Sequence, residues 1–94
     1  MIDVPERVAY TQLAEECTEL AHAALKLGRK ADPEQNFAMG DADYSRWIGN
    51  LYEEIGDVMA CLDALKQFLP FGADEQIEEI RKQKLERWEA RLKK

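Results

Sequence analysis

The chain has 94 residues, room for a single domain (1–94), of which 46% are hydrophobic and 34% charged. That balance is too apolar for a disordered chain and predicts a folded domain with solvated helical faces. The formal net charge of -6 would not attract polymeric DNA or RNA, so we expect neither as a partner. No apolar run approaches the roughly 20 residues that cross a bilayer, and the N-terminus lacks the apolar core of a secretory signal. We therefore expect a cytoplasmic protein without membrane contact.

The first predicted helix covers about residues 5–27, because Pro5 suits a first helical turn and Gly28 offers a stop. Its apolar residues recur at spacings of three and four, which predicts one buried stripe. The members of this stripe are Tyr10, Leu13, Cys17, Leu20, Ala24 and Leu27. Cys17 and Cys61 have no partner at the spacing of zinc ligands, so both are expected to be buried free thiols.

A connection follows over residues 29–43, where the helical periodicity disappears and proline, glycine and aspartate are frequent. Within it, residues 35–39 are compatible with a short helical turn. A second helix is predicted over about 44–69, where Pro70 stops it. The apolar stripe of this helix consists of Ile48, Leu51, Ile55, Met59 and Leu62.

The third predicted helix begins near Asp74, which can cap it, and has a narrower apolar face. That face consists of Ile77, Leu85, Trp88 and Leu92. Three helices with such stripes cannot bury all of their apolar surface against one another. We therefore expect an all-α helical bundle that is completed by oligomerisation, as a homodimer or a homotetramer.

A glutamate doublet followed by a further acidic residue occurs in each of the first two helices. Counting about 100° per residue, Glu16 and Glu19 lie on one side of the first stripe, at about 60° and 120° from its centre. Glu54 and Asp57 lie on one side of the second stripe in the same way, at about 100° and 160°. A single pair of this kind is ordinarily a solvated surface feature. Its recurrence in both helices favours a shared acidic site.

Four carboxylates held close together repel one another unless some are protonated or a cation neutralises them. An all-oxygen site suits a hard cation such as Mg²⁺, or Mn²⁺ in its place. Mg²⁺ usually keeps waters and phosphate oxygens in its coordination shell. The sequence therefore predicts a divalent-metal site that acts on a phosphate compound.

The segments EECTE at 15–19 and EIGD at 54–57 resemble the EExxE and ExxD motifs of the MazG-like, all-α nucleoside triphosphate pyrophosphohydrolases. The resemblance extends over 13–27, 51–62 and 84–92, which look like parts of the helices of short, single-domain members. It implies a bundle of the MazG-like type and Mg²⁺-dependent hydrolysis of a nucleoside triphosphate to a monophosphate and pyrophosphate.

By position, four of these acidic residues match the metal ligands of that family: Glu16, Glu19, Glu54 and Asp57. Glu15 matches the first glutamate of the motif, and its outward angle suggests a role in orienting water. Either Glu15 or Glu53 could accept the proton of the attacking water, and the sequence does not choose between them.

Cations and an amide near these positions are candidates for substrate binding. Lys84 fits a lysine that contacts phosphates in the family, whereas Arg87 replaces a common asparagine, and Arg91 extends the same basic ridge. Lys26 and Asn50 border the acidic sides of their helices. A solvated basic face is an equally open interpretation for the ridge.

Trp47 borders the acidic side of the second helix and could stack on a nucleobase, although an aromatic residue at helical spacing usually packs in a core. Two other functions stay open at this point. One is the same chemistry on phosphoribosyl-ATP or a modified nucleotide. The other is a non-enzymatic helical interaction module whose acidic face serves only to solvate it.

Overall fold

The computed structural model describes residues 2–31 and 41–93, and within them the chain forms three helices and no β-strand. The helices are α1 (Glu6–Ala31), α2 (Asp41–Lys66) and α3 (Ala73–Leu92). The predicted all-α fold class is therefore confirmed. The helical turn predicted at 35–39 lies outside the described residues. None of the helices in this part of the chain has the length and apolarity to span a membrane.

Helix α1 begins where the sequence predicts, but it ends later. The carbonyl of Pro5 accepts hydrogen bonds from the amides of Val8 and Ala9 at 3.0 and 3.1 Å, which starts the first turn. The predicted stop at Gly28 is wrong, because the helix continues to Ala31. A glycine inside a helix costs about 1 kcal/mol relative to alanine, and it ends a helix when it adopts a positive φ. Gly28 keeps a negative φ.

Helix α2 starts at Asp41 and ends at Lys66, three residues before the predicted end. The amides of Phe68 and Leu69 bond to carbonyls three residues earlier, at 3.0 and 3.1 Å, so the chain tightens after the helix. Pro70 has no N–H to bond the carbonyl of Lys66 four residues earlier, and its ring would clash with that carbonyl, which explains why the helix ends at Lys66.

Helix α3 is capped by Gly72, whose φ of 87° is a conformation that side-chain-bearing residues rarely adopt. The prediction that Asp74 caps this helix is wrong, because no side-chain cap is formed. Asp74 instead lies in the first turn, with Oδ1 at 3.4 Å from Nζ of Lys66. A negative charge there still stabilises the helix N-terminus.

Helices α1 and α2 pack against each other as an antiparallel hairpin, since Ala9 and Ala64 share one pocket while Glu16 and Glu54 meet further along. The buried apolar residues of the described chain are Ala9, Ala23 and Leu65, all at this contact. Helix α3 packs along neither of the other two in the described parts of the chain.

The stripe predicted for α1 is only partly buried. Its three leucines are half-buried, but Tyr10, Cys17 and Ala24 are exposed, which corrects the prediction that they lie in the core. The face that meets α2 carries Ala9 and Ala23 and is rotated by about 60° from the predicted stripe. Exposed Cys17 is therefore not a buried thiol, whereas Cys61 is half-buried, and both are free.

Helix α2 shows the same rotation. Trp47, Val58 and Leu65 turn towards α1, while Met59 and Leu62 of the predicted stripe stay 60% and 40% exposed. Large apolar side chains are thus left exposed on the hairpin. The surface area of the chain, 7723 Å², exceeds the roughly 5,500 Å² expected of a compact monomer of 10.8 kDa.

Candidate metal centre

Three of the four predicted ligands meet where α1 and α2 pack together. Glu16 and Glu19 lie one turn apart on α1, and Glu54 faces them from α2. Each offers a carboxylate oxygen, and these three oxygens all lie within 4.8 Å of one another. Glu16 and Glu54 are half-buried and Glu19 is exposed. We call these three residues the carboxylate cluster.

Asp57, the fourth predicted ligand, lies beside the cluster but not in it. Its side chain is exposed, one turn after Glu54 on α2. Its negative charge helps to raise the pKa values of Glu16 and Glu54, which shows that it lies near both. It does not belong to the group of oxygens within 4.8 Å.

Two oxygens of the cluster are buried without a hydrogen-bond partner, Oε2 of Glu16 and Oε2 of Glu54. The other oxygen of Glu16 accepts a hydrogen bond of 2.8 Å from Nε2 of Gln12. In the described parts of the chain, no ion pair joins a lysine or an arginine to these carboxylates. A buried carboxylate oxygen without a partner is costly, so the cluster has unused capacity to bind a positive group.

The pKa values of the two half-buried glutamates are raised above the usual 4.5. For Glu16 the largest cause is burial, which the hydrogen bond from Gln12 opposes, and the charges of Glu19 and Asp57 raise the pKa further. For Glu54 the largest cause is again burial, followed by the charge of Glu19. Both shifts mean that the protein disfavours the ionised carboxylates unless a cation joins them.

The donor set fits a hard divalent cation. It consists of carboxylate oxygens alone, and hard cations such as Mg²⁺ and Mn²⁺ take oxygen ligands. Glu16, Glu19 and Glu54 could hold such an ion directly, whereas Asp57 does not belong to this group of oxygens.

The two candidate proton acceptors lie outside the cluster. Glu15 and Glu53 are both exposed, and each precedes a cluster residue in its helix. Because successive helical residues point about 100° apart, neither side chain shares the direction of its neighbour. The structure therefore does not choose between them.

Lys26 and Trp47 meet across the hairpin on one side of the cluster. Nζ of Lys26 lies 5.8 Å from the centroid of the Trp47 ring, a distance typical of a cation–π contact. Each residue is seven positions from a cluster residue, so the pair lies about 10 Å along the helices from the carboxylates. Asn50, by contrast, is exposed one turn before Glu54.

The predicted phosphate-binding cations of α3 are not brought to the cluster within one chain. Lys84, Arg87 and Arg91 share one exposed face of α3, and this helix packs along neither α1 nor α2 in the described parts of the chain.

Two neighbours of the cluster were missed by the sequence analysis. Gln12 holds Glu16 by the hydrogen bond described above. Cys61 has a raised pKa, first because of burial and then because of the charges of Glu16 and Asp57, which places the thiol beside the acidic groups. Both residues lie four positions from a predicted ligand on the same helix, and this spacing was the available signal.

The chain matches no protein-family model, no curated protein and no solved structure. The resemblance to the MazG-like enzymes therefore stays a prediction from the sequence motifs.

Proposed function

We propose that the chain is a Mg²⁺-dependent pyrophosphohydrolase that converts a nucleoside triphosphate to a monophosphate and pyrophosphate. The observation that carries this proposal is the carboxylate cluster, whose members lie within 4.8 Å of one another and whose two buried oxygens lack a partner. The acidic motifs that supply these residues are the ones that resemble the MazG-like enzymes. Mn²⁺ would be accepted in place of Mg²⁺ because it takes the same oxygen ligands.

In the proposed hydrolysis each residue of the site has a separate role. A bound cation would neutralise phosphate charge and lower the pKa of a coordinated water. Glu16 and Glu54 supply fixed oxygens from two packed helices, and the hydrogen bond from Gln12 holds the Glu16 side chain in place. Exposed Glu15 or Glu53 then accepts the proton of the attacking water. Without a cation the cluster would repel a triphosphate, so turnover depends on the metal.

We further propose that the working protein is a homodimer or a homotetramer. The chain exposes about 2,200 Å² more surface than a compact monomer of its mass. Obligate dimers bury roughly 1,000 to 2,500 Å² on each chain, so one partner copy accounts for this excess. Met59, Leu62 and Trp88 are among the large apolar side chains that such an interface would cover.

The separate position of α3 supports a site that two copies share. Lys84, Arg87 and Arg91 have no acidic residue three or four positions away on their helix. In an assembly in which α3 lies on the hairpin of a second copy, these cations approach the phosphates of a nucleotide at the carboxylate cluster. They would then stabilise the negative charge of the phosphates, which the acidic cluster cannot stabilise by itself.

The direct test follows the phosphorus products. The protein is incubated with each common NTP and dNTP in Mg²⁺, and the products are identified by ³¹P NMR, with an EDTA-treated sample as control. We expect a nucleoside monophosphate and pyrophosphate with Mg²⁺ and no turnover with EDTA. Release of orthophosphate alone would contradict the proposed bond cleavage.

The same assay addresses the alternatives. Turnover of phosphoribosyl-ATP or of a modified nucleotide, with none of the common substrates cleaved, would keep the chemistry and change the substrate. If no nucleotide is cleaved and Mg²⁺ leaves the thermal midpoint unchanged, the proposed function fails and the result favours the non-enzymatic helical interaction module.

A further inference from the structure

An apolar pocket of about 260 Å³ lies at the end of the hairpin where α1 begins and α2 ends. Its walls come from the N-terminal segment, the first turns of α1 and the last turns of α2. Val4, Val8, Ala60 and Ala64 give it an apolar lining. Gln12 is the lining residue that brings a side-chain amide.

The pocket adjoins the carboxylate cluster. Gln12 belongs to both, because it lines the pocket and donates its hydrogen bond to Glu16. On α2, Cys61 lines the pocket and lies one turn after Asp57, within reach of the acidic charges. On α1 one helical turn, about 5.4 Å, thus separates Gln12 of the pocket from Glu16 of the cluster, whereas on α2 about two turns separate Cys61 from Glu54.

We propose, on the basis of the proposed function, that this pocket binds the nucleobase of the nucleotide whose phosphates lie at the carboxylate cluster. One ribose connects the base of a nucleotide to its α-phosphate, and one helical turn is a span of that order. Ligand sites are mostly apolar, with a few polar groups that orient the ligand, and whole-ligand sites occupy about 300–1,000 Å³. A pocket of 260 Å³ suits the base alone.

The chemistry of the lining matches a base. The faces of a nucleobase are apolar and its edge carries donors and acceptors. The Gln12 amide has an acceptor oxygen and two N–H donors, of which one is used by Glu16. The remaining groups can therefore bind the edge while Val8 and Ala64 contact the faces.

The opposite side of the cluster is less suited to a base. There Nζ of Lys26 lies over the ring of Trp47, so a base that stacked on this face would have to displace the cation. The pocket beside Gln12 has no such occupant among the described residues. The geometry thus favours the pocket over Trp47 as the base site.

The first test uses nucleoside monophosphates and protein labelled with ¹⁵N. AMP, CMP, GMP and UMP are titrated in the presence of Mg²⁺, and inorganic phosphate is titrated separately. We expect at least one monophosphate to shift the backbone amides of Ala9, Gln12, Ala60 and Ala64, whereas inorganic phosphate shifts only amides near the cluster. Shifts confined to the cluster with all four monophosphates would overturn the proposal.

A pair of variants sharpens this test. Ala60→Phe places a ring in the pocket from an exposed helical position, and Ala14→Phe makes the same change at an exposed position outside it. We expect Ala60→Phe to raise the Kd of the bound monophosphate about tenfold or more, and Ala14→Phe to leave it unchanged. An unchanged Kd in folded Ala60→Phe would overturn the proposal.

The outcomes separate this proposal from the proposed function. If a monophosphate binds in the pocket but no triphosphate is cleaved, the base site stands and the hydrolase function fails. If triphosphates are cleaved and Ala60→Phe changes neither Kd nor KM, the hydrolase function stands and the base site fails.

Discussion

The α1–α2 hairpin and helix α3 hold glutamates in opposite environments. On α3 the guanidinium of Arg81 makes two hydrogen bonds to Glu78, and Nζ of Lys93 lies 2.8 Å from Glu89. In the hairpin, Glu16 and Glu54 are half-buried, and in the described parts of the chain neither has a basic partner. Exposed pairs on a helix contribute little and are ordinary solvation, whereas half-buried carboxylates without a cation need one from outside.

The pKa shifts show the same difference between glutamates of the two regions. The hydrogen bond from Arg81 lowers the pKa of Glu78, while burial raises the pKa values of Glu16 and Glu54. The count of glutamates in a helix does not show which of them are ligands. The environment of each carboxylate separates a binding residue from a solvating one.

The largest expected effect comes from neutralising one carboxylate in each region. Glu54→Gln removes a cluster ligand and should lower kcat/KM for the triphosphate by about 100-fold or more, a loss typical of a group that stabilises transition-state charge. Glu78→Gln removes a glutamate that already has a partner on its own helix. Steady-state kinetics should find it near wild type. Equal losses in two folded variants would remove the distinction between the regions.

A smaller effect is expected when a charge is introduced among the exposed apolar side chains of the hairpin. Met59→Glu places a charge there and should weaken self-association about tenfold or more, as truncation or charging of a central interface residue does. Analytical ultracentrifugation over a concentration series gives the change. Thr11→Glu, at an exposed polar position of α1, is the matched control. Unchanged association in Met59→Glu would place the interface elsewhere.

Metal binding should stabilise the hairpin because a ligand that binds only the folded state shifts unfolding by mass action. At 100 times its Kd, Mg²⁺ should raise the thermal midpoint by roughly 10 °C or more. Differential scanning fluorimetry measures this shift, with NaCl of equal ionic strength as the salt control. Glu19→Gln should reduce the shift, and a rise of equal size in that variant would mean that the ion binds elsewhere.

The smallest effect is a pH dependence in the metal-free protein. The folded-state pKa values of Glu16 and Glu54 lie above 4.5, so the folded state binds protons more tightly than the unfolded state. Their contribution to stability is therefore present at low pH and is lost as the pH rises from 4.5 through the folded-state values.

This dependence is measured as a difference between two proteins. In EDTA, the thermal midpoint of the double variant Glu16→Gln, Glu54→Gln should rise relative to that of wild type as the pH rises from 5 to 8. The lowered pKa of Glu78 acts in the opposite direction below 4.5, and it cancels because both proteins contain it. Parallel curves over this range would contradict the environment that we describe for the cluster.

Some of these features could be predicted because their causes are local. The start of α1 next to Pro5 follows from the fixed φ of proline, which suits a first helical turn. Glu16 and Glu19 point to the same side of α1 because of their spacing. The meeting of these residues with Glu54 required only that two adjacent helices pack as a hairpin. The structure brings three of the four predicted acidic residues together, and their role as metal ligands stays a prediction.

The errors have a different physical origin. The face that a helix turns towards its neighbour depends on the fit between the two helices, so a rotation of about 60° left Cys17 and Met59 exposed. Periodicity likewise gave no sign that α3 packs along neither of the other helices in the described chain. Gln12 was missed because its role depends on one hydrogen bond to a carboxylate that had first to be placed.

The central claim is that Glu16, Glu19 and Glu54 hold one divalent ion, and anomalous diffraction from crystals grown with Mn²⁺ tests it most directly. The account predicts one anomalous peak at roughly 2.1 to 2.2 Å from an oxygen of each of these three side chains. Mn²⁺ bound only at other carboxylates, or the three side chains pointing apart around an empty space, would contradict it.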